Sequence, residues 1–143
     1  NPDDFKYTAL YDKIPQVKKL VDHFDLQTTR VRIHRQLPGQ EIPLHTDDNN
    51  TAVKDKNDYM IRSITALTAS KDFTYKFIDT ENKRRVQWLK QGETIFFDPD
   101  LVAHGMSNES TTETRYALVQ IFKLYPVTAW ARDFISTEKV VTI

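Results

Sequence analysis

Cysteine is absent from this 143-residue chain, which excludes disulfides, thiolate zinc sites, iron–sulfur clusters and cysteine nucleophiles but leaves the compartment open. Neither sign of charge is in excess. Lys plus Arg and Asp plus Glu both number 20, so the overall balance draws the chain neither to nucleic acid nor to a membrane surface. No apolar run approaches the roughly 20 residues that span a bilayer. The opening also lacks the charged-then-apolar pattern of a secretory signal. A cytoplasmic location is the expectation for the sequence as it stands, although it opens on Asn1 rather than Met. The sequence sets no oligomeric state. Histidine is scarce too: there are four, so each can be weighed by its surroundings.

What is present describes an ordinary folded domain, with 39% hydrophobic and 28% charged residues, enough to build one buried core. The whole chain, 1–143, reads as a single domain with a helical part at about 12–26 and a barrel core at about 28–126. The helix is carried by Val17, Leu20, Val21 and Phe24, at i, i+3, i+4 and i+7, with Pro15 suited to the first turn. After Leu26 the texture changes to short β-branched and aromatic segments: 28–37, 41–46, 59–69, 73–79, 85–90, 94–98 and 115–124. Pro38-Gly39, Lys71-Asp72, Glu81-Asn82, Gln91-Gly92 and Pro99-Asp100 punctuate them. Seven or eight such strands predict a mainly β fold, a jelly-roll or cupin-like double-stranded β-helix with a short N-terminal helix, rather than a βαβ fold. The polar stretch 48–58 reads as one exposed loop, either functional or disordered.

The chemistry concentrates at His45-Thr46-Asp47, which ends a strand-like segment. Alternation puts residues i and i+2 of a strand on one face, so an imidazole and a carboxylate can converge on one ion. His104 follows 59 positions later, after the apolar run that ends in Asp98-Pro99. Two histidines and one carboxylate leave open positions in an octahedral site, the arrangement of non-haem iron oxygenases. The triplet alone is weak, since chance would give about 0.4 His-x-Asp triplets in this composition. His23-Phe24-Asp25 has the same spacing, but on a helix i and i+2 point apart, so it reads as a surface histidine near a helix end.

Arg115 opens the last apolar strand and shares a face with Ala117, Val119 and Ile121. A charge on an apolar face needs an anion, either a dicarboxylate co-substrate on the guanidinium fork or an internal salt bridge. Arg62 shares a face with Ile64 and Ala66 and poses the same choice, with several Asp residues nearby. Arg30, Arg32 and His34 alternate along one face of their strand, either toward solvent, the default, or toward the mouth of a polar cavity.

Taken in order, these motifs resemble the aspartyl/asparaginyl β-hydroxylase-like branch of the 2-oxoglutarate oxygenases, over roughly 30–126. The segment 37–47, LPGQEIPLHTD, resembles the family's first metal-ligand strand. Arg62-Ser63-Ile64-Thr65-Ala66-Leu67 is similar to a strand whose arginine contacts a carboxylate of 2-oxoglutarate or substrate. The run from Trp88 to Asp98 resembles the approach to the second histidine, and His104 to Arg115 the distal histidine and the oxoglutarate-binding arginine. The resemblance implies Fe(II) on His45, Asp47 and His104, with 2-oxoglutarate on Arg115 and Arg62 and O2 as oxidant. Hydroxylation of an amino acid, peptide side chain or small carboxylic acid would give succinate and carbon dioxide as co-products. His34, Arg32 and Trp88 are candidates for the substrate or co-substrate pocket. Two departures are visible. The animal enzymes that name the branch lack the carboxylate ligand, whereas Asp47 is present here, and Ile64 stands where some relatives have an oxoglutarate-contacting histidine. The competing reading is a catalytically silent metal- or ligand-binding jelly roll, although the His-x-His pattern usual in cupins does not occur.

The decoy triplet supplies a control. His23→Ala is expected to leave iron affinity unchanged in a metal titration, whereas a drop would relocate the metal site to the helix.

Overall fold

The structure, a computed structural model, describes residues 8–23, 28–47, 59–78, 81–124 and 141–142. The loop read at 48–58 lies outside them, as do Phe24 and Asp25 of the decoy triplet. Two helices open the chain, α1 (Ala9–Lys13) and α2 (Pro15–His23). Proline stands at the first position of α2, where its missing N–H costs nothing. Val21 is buried, as the 3.6-residue periodicity predicts. The shorter α1 was not expected, because five residues are too few to show a helical period.

Nine strands follow among the described residues: β1 (Thr28–Gln36), β2 (Glu41–His45), β3 (Tyr59–Ala66), β4 (Phe73–Ile78), β5 (Arg84–Gln87), β6 (Thr94–Phe97), β7 (Ala103–Asn108), β8 (Arg115–Leu124) and the two-residue β9 (Val141–Thr142). They form two antiparallel sheets, ordered β1-β8-β3-β6-β9 and β2-β7-β4-β5. From β1 to β4 each strand crosses to the other sheet, β4 and β5 pair as neighbours, and from β5 to β8 the crossing repeats. This is the double-stranded β-helix expected from the spacing of short strands and turns. Turn chemistry agrees with backbone: Gly39 and Gly92 take φ of 75° and 88°, and Asn82 takes 60°, a region that side chains with a Cβ seldom enter.

The core lies between the sheets. Ile64 and Ala66 of β3, Ile95 and Phe97 of β6 and Ala117 and Val119 of β8 meet Tyr75 and Phe77 of β4 and Met106 of β7. Phe77 and Phe97 pack edge-on with centroids 5.2 Å apart. The outward residues of the central strands, among them Ser63, Thr65, Leu118, Gln120 and Phe122, are buried as well. Strands buried on both faces lose the apolar/polar alternation, which is why β3 and β8 read as nearly continuous runs. Ile95, wholly buried in this cluster, should lose about 2–5 kcal/mol of stability on replacement by Ala, measured by denaturant unfolding.

Candidate metal and co-substrate site

β2 and β7 bring the two histidines together by register. His45 is the cross-strand partner of His104, yet Ile42 pairs with Met106, so three steps on β2 match two on β7. That extra residue is a bulge at Pro43-Leu44, and it reverses which face His45 presents. Ile42 and His45, an odd number of residues apart, therefore line the same cavity. The bulge sits against Gly105, where a Cβ would come within 2.7 Å of the Ile42 carbonyl oxygen and 3.1 Å of the Leu44 nitrogen. Only glycine admits that approach.

Asp47 is held just past the strand end by its backbone N–H, which donates to the Pro99 carbonyl at 2.8 Å. The turn supplying that carbonyl is fixed in its own right. Asp98 is buried, and its side chain accepts from the Asp100 and Leu101 N–H groups at 2.9 and 3.3 Å. The motif that leads into β7 thus anchors both His104 and Asp47.

His45, Asp47 and His104 offer ligand atoms that all lie within 4.8 Å of one another. Asp47 Oδ1 is 3.3 Å from His45 Nε2 and 3.6 Å from His104 Nε2. Ligands about 2.1 Å from one ion stand roughly 3 Å apart along an octahedral edge, so these spacings suit a shared ion. Protonation suits it too. His45 Nδ1 donates to the Pro43 carbonyl and His104 Nδ1 to the Val102 carbonyl, each at 2.9 Å. A carbonyl cannot donate, so Nδ1 carries the proton and Nε2 presents a lone pair. Burial holds the His104 pKa down at about 4, with the Val102 carbonyl opposing and the Arg62 charge adding, so its ring stays neutral at physiological pH. Two lone pairs and a carboxylate facing one point require a cation.

The chain's own cation there is Arg62. Its guanidinium pairs with Asp47 Oδ2 and donates from Nη1 to His104 Nε2 at 2.7 Å. The sequence suggested a co-substrate acid or a nearby Asp as partner, and the structure gives it Asp47. Arg115 is placed differently. It is 1% exposed, and its Nη1 donates to Gln36 Oε1, Thr74 O and Ser107 O at 3.1 to 3.3 Å. Its Cζ lies 3.9 Å from the Tyr75 ring centroid, a cation–π contact. Among the described residues no carboxylate pairs with it, and Nε and Nη2 have no acceptor. The salt bridge weighed from sequence is thus not found at Arg115 among the described residues. Sequence reasoning missed Tyr75, whose buried hydroxyl makes no hydrogen bond of good geometry, although Arg115 is near enough to act on it. Burial pushes that phenol's pKa up against the opposing charge of Arg115, so it remains a donor.

Residues 3–123 match the aspartyl/asparaginyl β-hydroxylase family. The chain belongs to that family. Among solved structures, this β-hydroxylase-family chain is similar to a Pseudomonas putida prolyl-4-hydroxylase, with TM-score 0.54 and 14% identity over 78% of this chain and 62% of the other. It therefore spans less than two thirds of that enzyme's length, and the likeness is one of fold. A cupin domain from Bordetella pertussis Tohama I aligns with TM-score 0.42 and 18% identity over 66% of this chain and 79% of the other. Among curated proteins none matches the chain significantly in sequence.

The cavity beside the family member's His-Asp-His cluster measures about 380 Å³. Arg30, Arg32 and His34 border it, the two arginines exposed and His34 half-buried, so this face of β1 meets both solvent and the cavity. Trp88 does not line it. The indole is 57% exposed, donates to the Lys71 carbonyl at 2.9 Å and borders a separate shallow groove with Leu89 and Lys90. The expectation that it reaches the pocket is corrected accordingly: β5 ends at Gln87, and Trp88 follows outside the ladder. His23 ends α2 and is exposed. Among the described residues no helix is long and apolar enough to cross a membrane.

Gly105→Ala is expected to push the β2 bulge away from β7 and weaken metal binding at least tenfold. Calorimetric metal titration checks this, and unchanged affinity would show that the close approach is not needed to aim His45.

Proposed function

We propose that this chain is an iron(II)- and 2-oxoglutarate-dependent hydroxylase acting on an amino acid, a peptide side chain or a small carboxylic acid. The His-Asp-His cluster fits a divalent ion but would also fit a catalytically silent jelly roll. The observation that carries the hydroxylase reading is Arg115, a buried guanidinium with unsatisfied Nε and Nη2 and no carboxylate of the described chain beside it. A buried cation without an anion is costly, and a dicarboxylate co-substrate supplies that anion together with two acceptors for the free donors.

In this reading His45, Asp47 and His104 would hold iron, and Arg115 with the Tyr75 hydroxyl would hold the far carboxylate of 2-oxoglutarate. Bound iron(II) and 2-oxoglutarate supply the power to place one oxygen atom of O2 on a substrate C–H bond, with succinate and carbon dioxide as co-products. The rest is the protein's work. Pro43 and Val102 carbonyls fix the imidazole tautomers, so each Nε2 carries a lone pair, although iron on His104 would have to displace the Arg62 hydrogen bond that this atom accepts. Arg62, paired with Asp47, fixes that carboxylate. Ile42, Ile64, Met106, Val119 and Ile121 give the cavity an apolar wall that limits water around the reacting groups.

Arg115→Ala should weaken 2-oxoglutarate binding by about 2–5 kcal/mol, the range for truncating one member of a buried charge pair. Arg115→Lys keeps the charge but loses the fork, and should fall between. Iron affinity should change little in either variant, while Asp47→Ala should lose it. The measurements are an iron titration and a 2-oxoglutarate titration of succinate formation, supported by the weak visible band that iron(II) and 2-oxoglutarate give together without oxygen. Coincident wild-type and Arg115→Ala curves would reduce Arg115 to a structural group and favour the silent jelly roll.

A further inference from the structure

Trp88 has no part in the cavity, yet it is the most exposed large apolar side chain among the described residues, and it is held in place. Its Nε1–H donates to the Lys71 carbonyl at 2.9 Å, which ties the indole to a segment 17 positions away. Leu89, the next residue, is buried in the core cluster and fixes the backbone there. An indole already tied down has little freedom left to lose on binding, so its exposed face is a preorganised contact surface. With Ala69, Ser70, Lys71, Leu89 and Lys90 it borders a shallow groove.

β5, which ends one residue before Trp88, is an edge strand of the smaller sheet. It pairs with β4, and among the described residues no other backbone hydrogen bond reaches it. Val86 stands opposite Lys76, which lies between the core residues Tyr75 and Phe77, so Val86 faces outward and is exposed. An edge with open N–H and C=O groups and outward apolar side chains is a template for a further strand. Charge decides which strand can use it. The groove is lined by Lys71 and Lys90 and by no carboxylate. Two acids reach its rim, and both are engaged elsewhere: Glu93 accepts from the Lys90 backbone N–H and Glu113 from the Ser70 hydroxyl, each at 2.8 Å. The side chains of Lys71, Lys90 and Arg84 make no ion pair among the described residues. A second copy's β5 is a poor occupant, because the strand reads Arg84-Arg85-Val86-Gln87 and two of them would set like charge against like.

We propose that β5 and the Trp88 groove form a docking surface for an extended acidic polypeptide segment. The segment adds as a strand to β5, sets one apolar side chain on the Trp88 indole and places its carboxylates near Lys71, Lys90 and Arg84. Backbone pairing supplies affinity without sequence preference, the indole supplies an anchor, and the cations select for acid. This surface is independent of the hydroxylase reading, since the groove and the cavity share no lining residue.

Fluorescence anisotropy on the full chain tests this with labelled, capped hexapeptides that alternate Asp with Val and carry one Phe at each apolar position in turn. The comparison probes are the same peptides with Lys for Asp, the acidic peptides N-methylated on alternate amides, and a single-stranded oligonucleotide of equal length. At least one acidic peptide should bind about tenfold or more tightly than its lysine counterpart and should weaken as salt rises. Trp88→Ala should cost about tenfold, as for a central aromatic contact, while keeping the wild-type circular dichroism. Lys71→Glu combined with Lys90→Glu should turn the preference toward the lysine peptides. Alternate amides of a strand point to opposite edges, so methylating one set should abolish binding and methylating the other should not. The methylated peptides probe the wild-type chain, so that result stands even where a variant folds poorly. Equal binding of acidic and basic peptides, indifference to Trp88→Ala or to methylation of either set, tighter binding of the oligonucleotide, or no binding by any acidic peptide overturns the proposal.

Discussion

The close approach of β2 to β7 over Gly105 is the constraint on which the site depends. Without the extra residue at Pro43-Leu44, strict alternation from Ile42 would turn His45 to the other side of the sheet. The bulge corrects the parity, and the missing side chain at Gly105 gives it room. Once His45 faces inward it stands across from His104, with the two ring centroids 4.5 Å apart. Each ring then has one nitrogen tied to the backbone of its own strand region, and the second has nowhere to turn. Asp47 joins them because the turn that precedes β7 holds its backbone. The geometry thus follows from one strand pairing and one turn, and the fold maintains it whether or not an ion offsets the mutual repulsion of the lone pairs.

Two buried arginines show how differently a barrel can accommodate a cation. Arg62 meets a carboxylate of the chain itself, so its charge is balanced locally. Arg115 meets a glutamine side chain, two backbone carbonyls and the face of Tyr75. These are dipoles and a quadrupole, which soften the cost of burial but carry no opposite charge. The donors of Arg115 and the hydroxyl of Tyr75 that lack partners lie together, among other buried polar side chains such as Gln36, Thr74 and Ser107. Satisfied buried groups are the rule in folded proteins, and among the described residues this pair departs from it.

Much of this was legible before the fold was known, and the exceptions have physical causes. The bounds of β8 follow from its run of β-branched and aromatic residues, and the His45, Asp47 and His104 set from residue type and strand context. β7 itself gave no strand signal, because Ala103-His104-Gly105-Met106-Ser107-Asn108 contains no β-branched residue. It is a strand because β2 and β4 pair with it on both sides. The bulge in β2 was equally hidden, since a period-two reading cannot see an extra residue in the partner pairing. For β1, alternation identified a face but not its surroundings, and pairing with β8 sets Arg32, which stays exposed, and the half-buried His34 beside the cavity. Trp88 shows the opposite limit: it lies within a motif of the family, yet stands outside the ladder and faces solvent.

The division of labour across the sheets follows from which strands are central. β3 and β8 are paired on both sides, and many residues on both of their faces are buried, so Arg62 and Arg115 sit where backbone movement is most restricted. Such positions suit groups whose placement has to be precise: Arg62 holds Asp47, and Arg115 stands over Tyr75. β1 and β2 are edges, each paired on one side, and the cavity is bordered by both. An edge strand can change its side chains or shift slightly without unmaking the core, so the cavity wall is freer to vary there than on β3 and β8. His45 is the exception, a candidate ligand on an edge, and it is also the residue that requires a bulge, a proline and a glycine to hold it in place. The central strands can rely on their neighbours for that rigidity; on the edge it has to be written into the local sequence.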